Sequence, residues 1–217
     1  MKHIVAINGS PRKNWNTATL LDKALEGART EAPEEITTER IDLYDLSFTG
    51  CRSCFACKRI GGKSYGKCVA LDDLHSVLER VLTSDGIIIG SPIYYRNITA
   101  ELHAFLERFM FPYTVYSPNP SGIVKPNIPT AWIYTMNVRE EEFRRDHYAR
   151  YLELWEQWGF DKNPEVMYAF NTWQFDDYSK YVSDYFDEED KASYRERQFE
   201  LDCASAFQIG QHIVNKR

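Results

Sequence analysis

At 217 residues, 43% of them hydrophobic, the chain is long enough for one α/β domain with a sizeable core and short for two unrelated ones. Its 32 Asp and Glu outnumber 26 Lys and Arg, a formal charge of −6, which gives no electrostatic footprint for nucleic acid or an anionic membrane. No apolar run reaches the roughly 18–20 residues of a transmembrane helix. Met1-Lys2-His3-Ile4 leads straight into a strand without the features of a signal peptide. A cytoplasmic protein is therefore expected, with its five cysteines as thiols or metal ligands in preference to disulfides.

The first predicted strand is the apolar run Ile4–Ile7. It is followed by Gly9-Ser10-Pro11-Arg12-Lys13-Asn14-Trp15-Asn16-Thr17, which runs into a helical pattern over Thr17–Ala28. A strand, a small polar turn and a helix N-terminus form an anion cradle, because the first N–H groups of the helix lack partners and its dipole favours negative charge. Ser10, Asn16 and Thr17 add side-chain donors and Arg12 a charge. The loop lacks the Gly-Lys-Ser/Thr of a Walker loop and the three spaced glycines of a dinucleotide fingerprint. A mononucleotide cradle for the phosphate of FMN fits what is left; the plain alternative is a Ser10 or Asn16 helix cap facing solvent.

Further strands are predicted at Thr37–Ile41, Gly86–Ile89, Thr130–Tyr134 and Val166–Phe170, and helices at Leu71–Leu82, Thr99–Phe109, Glu140–Trp158 and about Glu188–Val214. Alternation of this kind reads as a parallel sheet covered on both faces, with strand order 2-1-3-4-5. No repeat or Gly/Ser linker divides the chain, so residues 1–217 are expected to form a single domain with a Cys-rich insert at about 50–70 and a C-terminal helical extension. In that order the C-terminal ends of the first, third and fourth strands meet at the switch point, where open α/β sheets bind ligands.

Those ends carry Gly90-Ser91-Pro92-Ile93-Tyr94-Tyr95-Arg96-Asn97-Ile98-Thr99 and Thr135-Met136-Asn137. The first mixes aromatic, aliphatic and amide groups, as a site for a flat ring does; alternatively Tyr94 and Tyr95 are surface aromatics and Thr99 only a helix cap. After the fifth strand, Asn171-Thr172-Trp173-Gln174-Phe175-Asp176-Asp177-Tyr178 is either a cover for a ligand in the same or a partner subunit or a self-packed loop.

Ile7-Asn8-Gly9-Ser10-Pro11-Arg12 with Asn16-Thr17, together with Gly90-Ser91-Pro92-Ile93-Tyr94, resembles the NADPH-dependent FMN reductases of the flavodoxin-like superfamily. The likeness is clear over residues 1–110 and fades beyond 140. It implies a flavodoxin-like three-layer α/β/α sandwich that binds FMN. The resemblance further implies that the flavin would take hydride from NADH or NADPH and pass electrons to a small acceptor such as a quinone, a flavin or a nitroaromatic compound. It assigns Ser10, Arg12, Asn16 and Thr17 to the phosphate, and Pro92, Ile93, Tyr94, Tyr95 and Asn97 to the ring, with Thr135, Met136 and Asn137 as a third contact. The flavin carries the chemistry, so no catalytic side chain is expected; backbone N–H groups of 91–99 are expected to stabilise charge on the reduced ring. A homodimer or homotetramer is implied as well.

Cys51, Cys54 and Cys57, with Cys68 after a ten-residue gap, form a metal-ligand pattern for zinc or an iron–sulfur cluster. The pattern resembles the iron–sulfur flavoproteins, whose fourth cysteine follows more closely. Free or redox-active thiols are the other reading, since Arg52, Lys58 and Arg59 lie near and cations lower thiol pKa. Cys203 reads as a buried packing residue. None of the five histidines falls in a triad context. The competing class is an electron carrier without nicotinamide turnover, and a third is a non-redox FMN-binding module.

Overall fold

A computed structural model describing residues 1–117, 123 and 125–216 contains five strands: β1 (Lys2–Asn8), β2 (Ile36–Asp42), β3 (Gly86–Pro92), β4 (Thr130–Thr135) and β5 (Glu165–Ala169). They pair in parallel in the order 2-1-3-4-5, as the alternation predicts. Successive side chains leave a strand on opposite faces, so each strand feeds two cores. Val5, Ile7, Ile87, Ile89, Trp132 and Tyr134 pack with α2 (Leu74–Leu82), α3 (Ala100–Met110) and α5 (Ala149–Trp158). Ile4, Ala6, Ile88, Ala131, Ile133 and Met167 pack with α1 (Asn16–Glu31) and α6 (Glu188–Asn215). The result is the three-layer α/β/α arrangement.

Helices α1 and α6 meet backbone to backbone. A Cβ at Gly27 would lie 1.9 Å from the Phe207 carbonyl oxygen, and one at Gly210 would lie 1.7 Å from that of Ala24. Glycine interrupts a helix at a cost of about 1 kcal/mol against alanine, and here the missing methyl lets two helices touch. The contact runs α6 alongside α1 so that residues near its start, about three turns before Phe207, lie beside the first turn of α1.

Two helix expectations are corrected. The helix expected over Leu71–Leu82 begins at Leu74: Leu71 is exposed, the Asp72 carboxylate receives Arg108, and that of Asp73 accepts the Ser47 N–H. The helix expected over Glu140–Trp158 is two, α4 (Glu140–Arg145) and α5, broken where His147 adopts φ +54°. Phe143 and Leu152 are both buried. At about 100° per residue they would face opposite ways on one continuous helix; the left-handed residue between them re-phases the chain and turns both inward.

Candidate functional site

The loops that leave β1, β3, β4 and β5 meet at one end of the sheet, bound to one another by main-chain hydrogen bonds. Gly9 N–H donates to the Gly90 carbonyl at 2.8 Å, Ile93 N–H to Thr135 at 2.9 Å, Met136 N–H to Ala169 at 3.0 Å and Thr172 N–H to Met136 at 2.9 Å. Thr99 caps α3, and its hydroxyl also donates to the Gly9 carbonyl at 2.7 Å. These bonds hold the ligand loops on rigid strand ends, as a pre-formed site requires.

The β1–α1 turn is shaped from within. Asn8 receives the Ser10 N–H at its Oδ1 (3.0 Å) and donates through Nδ2 to Asp42 (2.7 Å), while the Ser10 hydroxyl receives the Arg12 N–H at 3.1 Å. Trp15 occupies the N-cap position of α1, no side chain caps the helix, and its first turn has no acidic residue. The cap reading of Ser10 and Asn16 is thereby overturned, and Asn16 and Thr17 of the first turn of α1 line a crevice of about 190 Å³.

That crevice is lined by Ser10, Arg12, Asn16 and Thr17, by Pro92, Ile93 and Tyr94, and by Thr135, Met136 and Asn137. Thr17 and Thr135 share a hydroxyl hydrogen bond of 2.8 Å, joining the first and third groups. Two expected ring residues are elsewhere. Tyr95 is fully exposed at the tip of a tight turn closed by Tyr94 and Asn97, with φ +50° at Tyr95 and +70° at Arg96. Asn97 faces a different cavity, where its Oδ1 accepts from Trp155 Nε1 at 3.2 Å. This strained turn is held from the α4–α5 corner: Arg96 pairs with Asp146 at 3.6 Å and lies over the Tyr148 ring.

The expectation for the loop N–H groups is also corrected. Those of Ile93, Tyr94, Asn97, Ile98 and Thr99 are committed to Thr135, Asn97, Tyr94, the Asn97 side chain and the Ser91 hydroxyl. The folding of the turn onto itself consumes them, which leaves Tyr95 and Arg96 at its tip.

Trp15, Thr172, Trp173 and Gln174 complete the crevice. The Trp173 carbonyl accepts from Trp15 Nε1 at 2.9 Å and Asn16 Nδ2 at 2.7 Å, and the Gln174 carbonyl accepts from Arg12. Residues 172–174 therefore cover the site of their own chain, while Phe175 and Tyr178 pack within the loop, on each other and on Trp173 and Tyr181. Those three bonds draw the loop against the cradle, and the crevice is narrower than the roughly 300–1,000 Å³ of most small-molecule sites. Larger cavities, such as one of about 500 Å³ lined by His75, Leu78 and Tyr113, lie away from the strand ends; volume alone does not mark the site, and the switch point does.

The residues fit a flavin mononucleotide. An uncapped helix N-terminus beside Arg12 suits the phosphate. Asn137 Oδ1 and Gln174 Oε1 are buried acceptors without a donor, and a flavin ring and its ribityl chain carry the N–H and O–H groups they lack. Ile93, Tyr94, Met136 and Trp173 supply apolar surface for the ring.

The four clustered cysteines all line one apolar cavity of about 240 Å³. Buried Arg108 closes the segment at both ends, donating to the Thr49 and Ala70 carbonyls at 3.2 Å and to Asp72 Oδ2 at 2.5 Å. Glu107 accepts the Cys51 N–H at 2.9 Å. Among the described residues no three His, Cys, Asp or Glu are grouped to hold a metal ion, so Cys51, Cys54, Cys57 and Cys68 share a cavity without forming an assembled ligand set. Cation activation fails at Cys57: burial pushes its thiol up and outweighs Lys58, whose ammonium is turned to the Phe111, Pro112 and Thr114 carbonyls. Cys203 is half-buried against the α1–α6 core.

Among solved structures, the fold resembles an NAD(P)H:quinone oxidoreductase from Methanothermobacter marburgensis, with a TM-score of 0.69 and 18% identity over 98% of each chain. An FMN-dependent NADH-azoreductase from Bacillus anthracis, solved with FMN, gives 0.66 and 13% over 99% of this chain and 100% of that one. In sequence, iron–sulfur flavoproteins of Methanocaldococcus jannaschii and Methanosarcina thermophila are 37% and 32% identical over 105 residues. Those residues are 48% of this chain and 50% and 51% of theirs, so the chain spans about half the length of these relatives. Residues 2–124, more than half of the chain and including the cradle, the ring loop and all four clustered cysteines, match the model of the NADPH-dependent FMN reductases, and the chain belongs to that family.

Proposed function

We propose that the chain is an FMN-dependent NAD(P)H oxidoreductase that passes electrons from a reduced nicotinamide to a small acceptor such as a quinone, a flavin or a nitroaromatic compound. The observation that carries this reading is the convergence, in one crevice, of the uncapped start of α1, Arg12 and the unpaired Asn137 oxygen. When bound, FMN supplies a centre that accepts hydride from a nicotinamide and releases electrons to a second substrate. The N–H groups of Asn16, Thr17 and Ala18 and the Arg12 guanidinium hold the phosphate, and Arg12 exchanges its bond to the Gln174 carbonyl for that anion. Asn137 Oδ1 would accept an N–H of the flavin and so fix its orientation, and Ile93, Tyr94 and Trp173 would supply the apolar lining that limits water around it.

The test is flavin binding and turnover together. The protein is expected to bind FMN more tightly than riboflavin and to oxidise NADH or NADPH in the presence of a quinone. Arg12→Ala is expected to lose about tenfold in FMN affinity, as loss of a charge-assisted phosphate contact does. An Arg12→Ala protein with undiminished FMN affinity would remove the phosphate assignment.

A second reading, an electron carrier holding an iron–sulfur cluster, is favoured by the single cavity that Cys51, Cys54, Cys57 and Cys68 share. The thiols do not form a ligand set as they stand, so a cluster would have to gather them. Iron and acid-labile sulfide analysis of anaerobically purified protein decides: about four irons per chain establishes the carrier reading, and flavin without iron leaves the reductase.

A further inference from the structure

The end of the chain outside the family match brings two further cations towards the crevice. Lys191 and Arg195 are one turn apart on α6 and therefore share a face. Lys191 is 2% exposed; its Nζ donates to Asn171 Oδ1 at 2.6 Å and approaches the Thr172 carbonyl at 3.4 Å. Arg195 Nη1 donates to Asn16 Oδ1 at 3.0 Å, and the guanidinium rests on the Phe199 ring, 4.6 Å from its centroid. Among the described residues neither of them, nor Arg12, forms an ion pair with a carboxylate. Burial pushes the Lys191 ammonium down to about 8, with Arg139 acting in the same direction and Asp190 and Glu142 opposing it, and burial lowers Arg195.

In a chain of net charge −6, Arg12 and Arg195 stand at the uncapped start of α1 with neither paired to a carboxylate among the described residues, while Lys191, within reach of Asp190 and Glu142, holds the covering loop behind them. Arg195 is partly desolvated with no carboxylate acting on it, which is unfavourable, and a dianionic phosphate at that terminus relieves it. The hydrogen bonds show how α6 reaches the site. Both ends of the Asn16 amide are committed, Oδ1 to Arg195 and Nδ2 to the Trp173 carbonyl. Asn16 therefore does not offer its side chain to the phosphate; it ties the first turn of α1 to α6 and to the covering loop, and its backbone N–H remains for the ligand.

We propose that Arg195 is a positioning residue of the phosphate site, which orients the first turn of α1 through Asn16 and adds the charge that makes the protein prefer FMN to riboflavin. Lys191 supports it by fixing the start of the covering loop. This inference rests on the flavin-phosphate reading above, and it assigns part of the cofactor preference to a helix that the family match does not include.

The test compares FMN and riboflavin affinities, read by quenching of flavin fluorescence, in the wild type and in Arg195→Met, Arg195→Lys and Phe199→Leu. Arg195→Met is expected to weaken FMN about tenfold with riboflavin unchanged, and Arg195→Lys to recover most of the preference. Phe199→Leu loosens α6 while keeping the charge, and is expected to leave the ratio of affinities at the wild-type value. An Arg195→Met protein that keeps the wild-type ratio, or loses both ligands equally, overturns the assignment. Should that variant not fold, Arg195→Gln carries the same comparison, since it keeps a donor for Asn16 and removes the charge. A wild type that binds FMN and riboflavin equally overturns the phosphate site itself, and with it this inference; a preference that survives loss of Arg195 overturns only the role of Arg195.

Discussion

Gly210→Ala tests whether the seam between α1 and α6 sets the cradle. Two effects of opposite sign compete. In an isolated helix the substitution would stabilise by about 1 kcal/mol, because glycine is the poorer helix former. Here the new Cβ would lie 1.7 Å from the Ala24 carbonyl oxygen, 2.7 Å from its carbon and 2.8 Å from the Ala28 nitrogen. All three are backbone atoms, so no side chain can turn aside and the helices must part. Overpacking usually costs about 1–3 kcal/mol, and a backbone clash belongs at the upper end. The net loss is about 2 kcal/mol, or a fall of roughly 4–8 °C in Tm for a chain of this size. Gly27→Ala should behave alike, and the double variant should lose less than the sum because both wedge the same seam. Parting the helices also draws Arg195 from Asn16, so FMN should stabilise the variant less than it does the wild type. Thermal melts followed by circular dichroism, with and without FMN, measure both quantities. A higher Tm in Gly210→Ala would refute the close seam, and a lower Tm with an undiminished FMN shift would refute its link to the cradle.

Two more substitutions probe groups whose burial decides the sign. Burial pushes the Glu156 carboxyl up to about 6, with the facing Tyr134 hydroxyl opposing it and Glu153 adding to it, and Glu156 Oε1 and the Tyr134 hydroxyl are both buried without a hydrogen-bond partner. Because the folded state binds this proton more tightly than the unfolded chain, the stabilisation is full below the ordinary carboxyl range and is lost as pH rises through about 6. Glu156→Gln should therefore be neutral at pH ~4 and stabilising by about 1 kcal/mol at pH ~7.5, after allowance for partial exposure; urea titrations at the two pH values check it, and destabilisation at the higher pH counts against the buried charge. Arg108→Met removes a buried guanidinium and strands Asp72, whose Oδ1 already lacks a partner, with the Thr49 and Ala70 carbonyls. A loss of about 3 kcal/mol or more is expected, together with faster reaction of the clustered cysteines with a thiol reagent. Unchanged thiol reactivity would mean that Arg108 does not hold the segment.

The strands were legible because a parallel sheet covered on both faces writes itself as unbroken apolar runs, of which Ile4–Ile7 and Gly86–Ile89 are plain cases. The cradle and ring loop were legible because a switch point needs small polar turns at strand ends, and those turns are contiguous in sequence. What escaped depends on groups far apart in the chain. Periodicity over 140–158 does not reveal a break, since a single left-handed His147 restores the inward phase and leaves the count of apolar residues unchanged. Asn97 turned away because Trp155 and the α4–α5 corner hold the turn, a contact that no local pattern encodes. Lys191 and Arg195 stand in a charged stretch, Glu188-Glu189-Asp190-Lys191 to Arg195-Glu196-Arg197, whose ordinary reading is a solvated helix face. The informative residue of that helix is uncharged and lies beyond the stretch. Gly210, in the interior of a long helix, costs stability unless something lies against it, and what lies against it is the helix whose first turn forms the cradle. A helix that touches α1 so closely cannot be inert towards what α1 binds, so the cofactor preference of this chain should depend on α6 as well as on the family loops.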